Sequence, residues 1–168
     1  ELMYAFRQAD LVQNPRSGLI IAGAGPQRKF STLARQLGIR NSLHFTGRME
    51  SISAAMAACD VVVLPTWYDP SSRVILEGLA MGKPVITTAF NGAAEFIRSG
   101  RHGIVIAHPR NITALAEAMT FYCRSKNRQQ AQQAILEDAL REKVSIARHA
   151  EQLISLYKRL LSEKNGTA

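Results

Sequence analysis

Cysteine is nearly absent from this chain. Cys59 and Cys123 are the two among 168 residues, and neither belongs to a metal-spaced cluster. That excludes a disulfide scaffold, and two buried free thiols are expected in a reducing compartment. Long apolar runs are missing as well. No stretch approaches the ~18 residues of a membrane-spanning helix. Aromatic residues make up 7%, and none interleave with the basic groups at Arg28-Lys29, Arg98/Arg101 or Arg124-Lys126-Arg128. A base-stacking platform needs that interleaving, so nucleic acid is not an expected partner. Acidic residues are the scarcer charge, 13 Asp+Glu against 21 Lys+Arg, for a net charge of +8. That excess favours anionic partners such as nucleotide phosphates or an acidic membrane surface. His44 and His102 have no Ser or Cys nucleophile at recognisable spacing and read as structural or solvated. There is no repeat and no low-complexity segment. No initiator Met is present, and Glu1 falls inside an apparent helix, so a piece of something longer is expected.

What is present is a regular alternation. Hydrophobic residues make up 46% of the chain, ample for one buried core at this length. Helical spacing runs over Leu2 to Leu11, about Gln27 to Leu37, Ser51 to Ala58, Ser72 to Met81, Ala93 to Arg98 and Asn111 to Tyr122. Apolar strands fall at Gly18 to Ala22, Leu43 to Thr46, Val61 to Leu64, Pro84 to Thr88 and Gly103 to Ile106. Val61 to Leu64 reads as buried on both faces. From about Arg128 to Ser162 the pattern is helical and amphipathic, with a break near Lys143, and residues 164–168 are expected to fray. Strands alternating with helices predict βαβ units, a parallel sheet and helices on both faces. The expected organisation is a Rossmann-like domain over 1–127, with C-terminal helices over 128–168.

The densest chemistry lies at Asp69-Pro-Ser-Ser-Arg-Val-Ile-Leu-Glu77. One acid sits on a Pro/Ser loop past a strand, and the other about one turn into the following helix. The pair suits a polyhydroxylated, anionic ligand. Glu77 has apolar neighbours in Val74, Ile75, Leu76 and Leu79, where an ionised carboxylate is costly unless it accepts hydrogen bonds. A ribose diol would donate two, although an exposed helical Glu is the plainer reading. Asp69 has a second reading, as a plain N-cap for the helix at Ser71-Ser72. Gly23-x-Gly25-Pro26 follows a strand and opens a helix, where backbone approaches phosphate, or where a tight βα turn simply needs glycine. Arg28 stands where a dinucleotide fingerprint has its third glycine. Trp67 and Tyr68 either pack on the rim or border a sugar pocket.

Taken in order, Gly23-Ala-Gly-Pro26, Leu43-His-Phe-Thr-Gly47, Cys59-Asp-Val-Val-Val-Leu-Pro65, Asp69-x7-Glu77, Gly78-Leu-Ala-Met-Gly-Lys-Pro-Val-Ile-Thr-Thr88 and Asn91-Gly-Ala-Ala-Glu95 resemble one family. They are similar to the C-terminal, nucleotide-sugar-binding domain of GT-B retaining glycosyltransferases, the group 1 or family 4 type. The resemblance covers about Leu2 to Tyr122. It implies a Rossmann-like α/β fold, one half of a GT-B enzyme. It also implies transfer of a sugar from a nucleotide diphosphate, with retention and without a metal or other cofactor. Glu77 would hold the ribose hydroxyls and Asp69 the donor sugar, the two together forming the catalytic-site carboxylates. Backbone amides around Ser72, Arg73 and Val74 would meet the diphosphate or the sugar at the helix start. The segment after Gly47, mainly Arg48 and Met49, would border the base, and Gly23, Gly25 and Gly47 belong to the same substrate-binding set.

Three departures from the family pattern stand out. Asp69 replaces the usual Glu, Pro70-Ser71-Ser72 replaces Gly-Phe-Gly, and no strand with a Gly-Arg motif and following Lys precedes Leu2. The sheet is therefore expected to lack its first strand, and the chain alone to be a marginal binder. Implied partners are a donor nucleotide sugar, a glycan, lipid or small-molecule acceptor, and an N-terminal acceptor domain. The implied setting is the cytoplasm, with peripheral contact at the membrane face, in polysaccharide or glycoconjugate biosynthesis. A non-catalytic nucleotide-binding module or a GT-B-type nucleotide-sugar epimerase is the alternative. The epimerase would need acid/base groups around the anomeric and C2 positions.

Overall fold

The computed structural model describes residues 1–166. The strands are β1 (Leu19–Ala22), β2 (Leu43–Gly47), β3 (Val62–Leu64), β4 (Val85–Thr88) and β5 (Gly103–Ile106). The helices are α1 (Leu2–Gln8), α2 (Gln27–Gln36), α3 (Ser53–Ala58), α4 (Arg73–Ala80), α5 (Ile112–Cys123), α6 (Ser125–Glu137), α7 (Leu140–Lys143) and α8 (Ile146–Gly166). The expected α/β alternation is present throughout.

The strands pair in parallel, but in two sheets. β1 pairs with β2, and β3-β4-β5 form a second sheet. β1 and β3 do not pair with each other. In a doubly wound order one further strand lies between two such edges.

β4 is the most buried strand, and it separates the two cores. Alternation sends Val85 to one face and Ile86 to the other. Ile86 joins Phe6, Leu115 and Met119, under α1 and α5. Val85 joins Met56, Ile75, Leu79, Ile135 and Leu140, under α3, α4, α6 and α7. Helices thus cover both faces of the three-stranded sheet. At Gly78 a Cβ would lie 3.0 Å from a Val62 methyl carbon, so a small residue lets α4 settle on β3. α4 then ends as the sequence predicts. Gly82 takes φ 71, its amide donates to Leu79, and the Lys83 amide donates to Gly78. This is the Schellman arrangement. Lys83 Nζ donates to the Cys59 carbonyl at 2.8 Å and the Ala57 carbonyl at 3.3 Å, closing the end of α3.

Several details differ from the sequence reading. The first helix stops at Gln8, because Asp10 adopts φ 53 and a 3-10 turn follows. The Ala93–Arg98 helix is a 3-10 turn at Gly92–Phe96. β3 is half-buried beyond Val62, not buried on both faces. Cys59 is half-buried and Cys123 is exposed, so the two thiols are not both buried. Burial pushes the Cys59 thiol up from its ordinary pKa. α8 runs to Gly166, and Thr167 and Ala168 lie outside the described residues. No helix among the described residues is long and apolar enough to cross a membrane.

The C-terminal helices break at Val144-Ser145, as the reading near Lys143 predicts, and also at Ala139, which has φ 50. The second break lies beside an ionic cluster. Asp138 accepts from Arg101 at 2.9 Å and lies 2.6 Å from His102 Nε2. His102 is buried, and its Nδ1 accepts the Arg98 amide at 3.2 Å. The ring therefore donates from Nε2 and fastens the turn before β5 to the end of α6. Hydrogen bonds from Arg101 and His102 hold the Asp138 carboxyl well below the usual carboxylate range. A depressed folded-state pKa contributes stability above the unfolded value, near pH 4, and loses it as pH falls toward the folded value. Asp138→Asn should therefore lower stability at neutral pH and flatten its decline below about pH 4. Urea unfolding between acid and neutral pH reads both effects. An unchanged profile would remove Asp138 from the account.

Candidate functional site

The loop after β3 carries Trp67, Tyr68 and Asp69 and leads through Pro70-Ser71 into α4. Backbone bonds anchor it to the end of β4. The Asp69 amide donates to Phe90 O at 3.1 Å, and the Gly92 amide donates to Asp69 O at 2.9 Å. Gly92 is required here, since a Cβ would collide with the Pro70 carbonyl. Beneath the loop lies Asn91, 2% exposed. Its Oδ1 accepts from the Ser72 amide at 3.2 Å and the Ala93 amide at 3.1 Å, and its Nδ2 donates to Thr87 Oγ1 at 3.0 Å. Thr87 Oγ1 in turn donates to Leu64 O at 2.9 Å. One buried amide side chain thus joins β3, β4 and the start of α4.

The positioning role of Asn91 is not legible in the sequence. Its local signal is an Asn-Gly pair three residues past the end of β4, an ordinary turn signature. Nothing local reports that Ser72 lies against it.

Ser72 is the N-cap residue of α4 and is buried, although its hydroxyl makes no cap bond. The first-turn amides of Arg73 and Val74 lack intrahelical acceptors by helix geometry. Both residues are exposed. Asp69 is half-buried, and its Oδ1 accepts from the Ser71 amide at 3.1 Å. That single bond shapes the turn and leaves the second carboxylate oxygen for other donors. Glu77 is not enclosed by its apolar sequence neighbours. Its side chain is 39% exposed and lies 3.6 Å from Arg73 Nη2. Helix rotation turns Ile75, Gly78 and Leu79 inward and leaves Arg73, Val74 and Glu77 on the outer face.

The glycine loops sit on the other sheet. Gly23 has φ 134 and donates its amide to Gly47 O at 2.9 Å, while Gly47 has φ 69. The loops leaving β1 and β2 are therefore tied together, with Gly25 and Pro26 leading into α2. Arg48 is exposed and Met49 half-buried. Among the described residues, no hydrogen bond or ion pair joins this group to Asp69, Ser72 or Glu77. The predicted residues thus fall into two groups, each at the carboxyl ends of parallel strands. Ligands bind at such ends in open α/β sheets.

Comparison with known proteins places this arrangement. The family model described as "Glycosyl transferases group 1" matches residues 1–125. Lipopolysaccharide glucosyltransferase WaaG of Escherichia coli is 37% identical over 101 residues, which is 60% of this chain and 27% of that protein. A crystal structure of WaaG superposes with a TM-score of 0.72 at 30% identity, over 84% of this chain and 41% of that one. The Anabaena protein Alr3699/HepE, solved with UDP and glucose, gives a TM-score of 0.78 at 22% identity. That match covers 94% of this chain and 44% of that one and speaks for the fold. The chain spans about a quarter of the length of the curated relatives it matches. With the family model matching residues 1–125 and the fold and motif order in agreement, the chain belongs to the group 1 glycosyl transferases.

Proposed function

We propose that this chain is the donor-binding part of a glycosyltransferase, holding a nucleotide-diphosphate sugar for transfer with retention and without a metal. The observation that carries this reading is the Asn91-fastened loop, which sets Asp69 beside the open amides of α4. Glu77 receives the ribose hydroxyls. The free amides of Arg73 and Val74, at the positive end of the α4 dipole, receive the diphosphate. Asp69 then faces the sugar. Gly23, Gly25, Gly47, Arg48 and Met49 border the remainder of the nucleotide.

During transfer, negative charge grows on the leaving diphosphate while the sugar gains oxocarbenium character. Amides held in place beforehand stabilise that charge without reorganising. The acceptor is a glycan, lipid or small molecule, bound in part by an N-terminal domain of the whole protein. The free thiols Cys59 and Cys123 suit a reducing compartment, and the net charge of +8 suits contact with an acidic membrane face.

A thermal-shift panel of UDP-, GDP- and ADP-sugars identifies the base. Asp69→Ala then tests the assignment. Affinity for the intact donor should fall roughly 10- to 100-fold, the loss of one charge-assisted hydrogen bond. Affinity for the bare nucleotide should stay as it was. Equal losses would reduce Asp69 to a turn-shaping residue.

A further inference from the structure

The second sheet ends in an aromatic cluster that neither core uses. Trp67, Phe90 and His108 follow the carboxyl ends of β3, β4 and β5 by two or three residues. The His108 ring stands edge-on to both others. Its centroid is 5.4 Å from Trp67 at 88° and 5.3 Å from Phe90 at 86°. Arg110 Cζ lies 5.0 Å from the Trp67 ring centroid. The Arg110 amide donates to His108 Nδ1 at 3.2 Å, which fixes the imidazole. Below, Thr88 Oγ1 donates to Thr66 O at 2.7 Å, and the Phe90 amide donates to Thr88 Oγ1 at 3.3 Å. The rings are thus held from several sides, yet Trp67 and Phe90 each remain 44% exposed.

Ordered aromatic rings left this exposed, with Arg110 over one face of Trp67, favour a ligand with an apolar face of its own. A pyranose ring has one, built of its C–H groups, with hydroxyls around the rim. Arg110 has no carboxylate partner among the described residues. Its guanidinium N–H groups can meet those hydroxyls.

The position of the cluster indicates which sugar. Phe90 O accepts the Asp69 amide, and Asp69 bridges Asn91 in parallel, so Trp67 and Phe90 precede that bridge while the start of α4 follows it. If ribose lies at Glu77 and the donor sugar at Asp69, the next group along that line is the acceptor. We infer that Trp67 and Phe90, braced by His108 and Arg110, form a stacking platform for a pyranose ring of a saccharide acceptor. The inference rests on the donor reading above.

Trp67 is the one tryptophan in the chain, so its emission reports this site. The test titrates the 168-residue chain with methyl α-D-glucopyranoside and methyl α-D-mannopyranoside, and in parallel the whole protein with UDP by calorimetry. The expected result is a saturable change in Trp67 emission with at least one glycoside. Phe90→Ala and Arg110→Ala should each weaken it, Phe90→Ala by roughly tenfold. Both positions are exposed, so both variants should fold. Glu77→Ala should abolish UDP heats and leave the glycoside response intact. No saturable response to either glycoside, or one indifferent to both platform variants, overturns the inference. UDP alone altering Trp67 emission also overturns it, since the rings would then border the donor. Absent UDP heats in the wild type count against the donor reading, whatever Trp67 reports.

Discussion

Replacing Asn91 with alanine is expected to cost on the order of 3 kcal/mol of stability. The side chain accepts from two amides and donates to a threonine, all beneath the protein surface. Its removal leaves the Ser72 and Ala93 amides without acceptors. Each stranded buried group costs about 1–3 kcal/mol, and the set is not additive. Such a loss is a large part of a stability of ~5–15 kcal/mol. Asn91→Asp keeps an acceptor oxygen for both amides and gives up the bond to Thr87, so its loss should be clearly smaller. Urea unfolding at equal slope measures both variants. If alanine cost no more than a surface change, about 0.5 kcal/mol, the loop would not depend on Asn91.

Glu77→Ala should produce the opposite pattern, with the fold kept and binding lost. Among the described residues Glu77 has one ion-pair partner, the exposed Arg73 four residues away at 3.6 Å. Such pairs are worth about 0.3–0.5 kcal/mol, so the melting temperature should barely move. Two charge-assisted hydrogen bonds to ribose are worth roughly 1.5–3 kcal/mol each. Their loss should weaken nucleotide binding by at least about 100-fold. Calorimetry with the matched nucleoside diphosphate reads it. Wild-type affinity in the variant would remove Glu77 from the site.

Much of the fold was legible wherever a local signal carried it. Gly103–Ile106 is a β-branched run entered from Gly100, which adopts φ 83, and the strand matches the sequence reading residue for residue. Gly82 marks the end of α4, and Asn111 caps α5 by accepting the Ala114 amide at 3.0 Å. What stayed hidden was pairing between distant residues. Asp138 has no local feature that identifies His102 and Arg101 as its partners. The break at Ala139 carries no glycine or proline to announce it. Glu77 was misplaced for a different reason. Its sequence neighbours are apolar, but helical rotation sends Ile75 and Leu79 into the core and Glu77 to the rim. The separation of β1-β2 from β3-β4-β5 depends on strand pairing, and the missing strand motif had pointed to it.

Amide NMR of the 15N-labelled chain during titration with UDP-glucose, or with the donor chosen by the thermal-shift panel, tests the donor site most directly. The predicted result is a set of saturable shifts centred on Ser72, Arg73, Val74 and Glu77, with a second set at Gly23, Gly47 and Arg48. Shifts confined to α8 or to the amino-terminal ends of the strands, or none with any nucleotide sugar, would contradict the account.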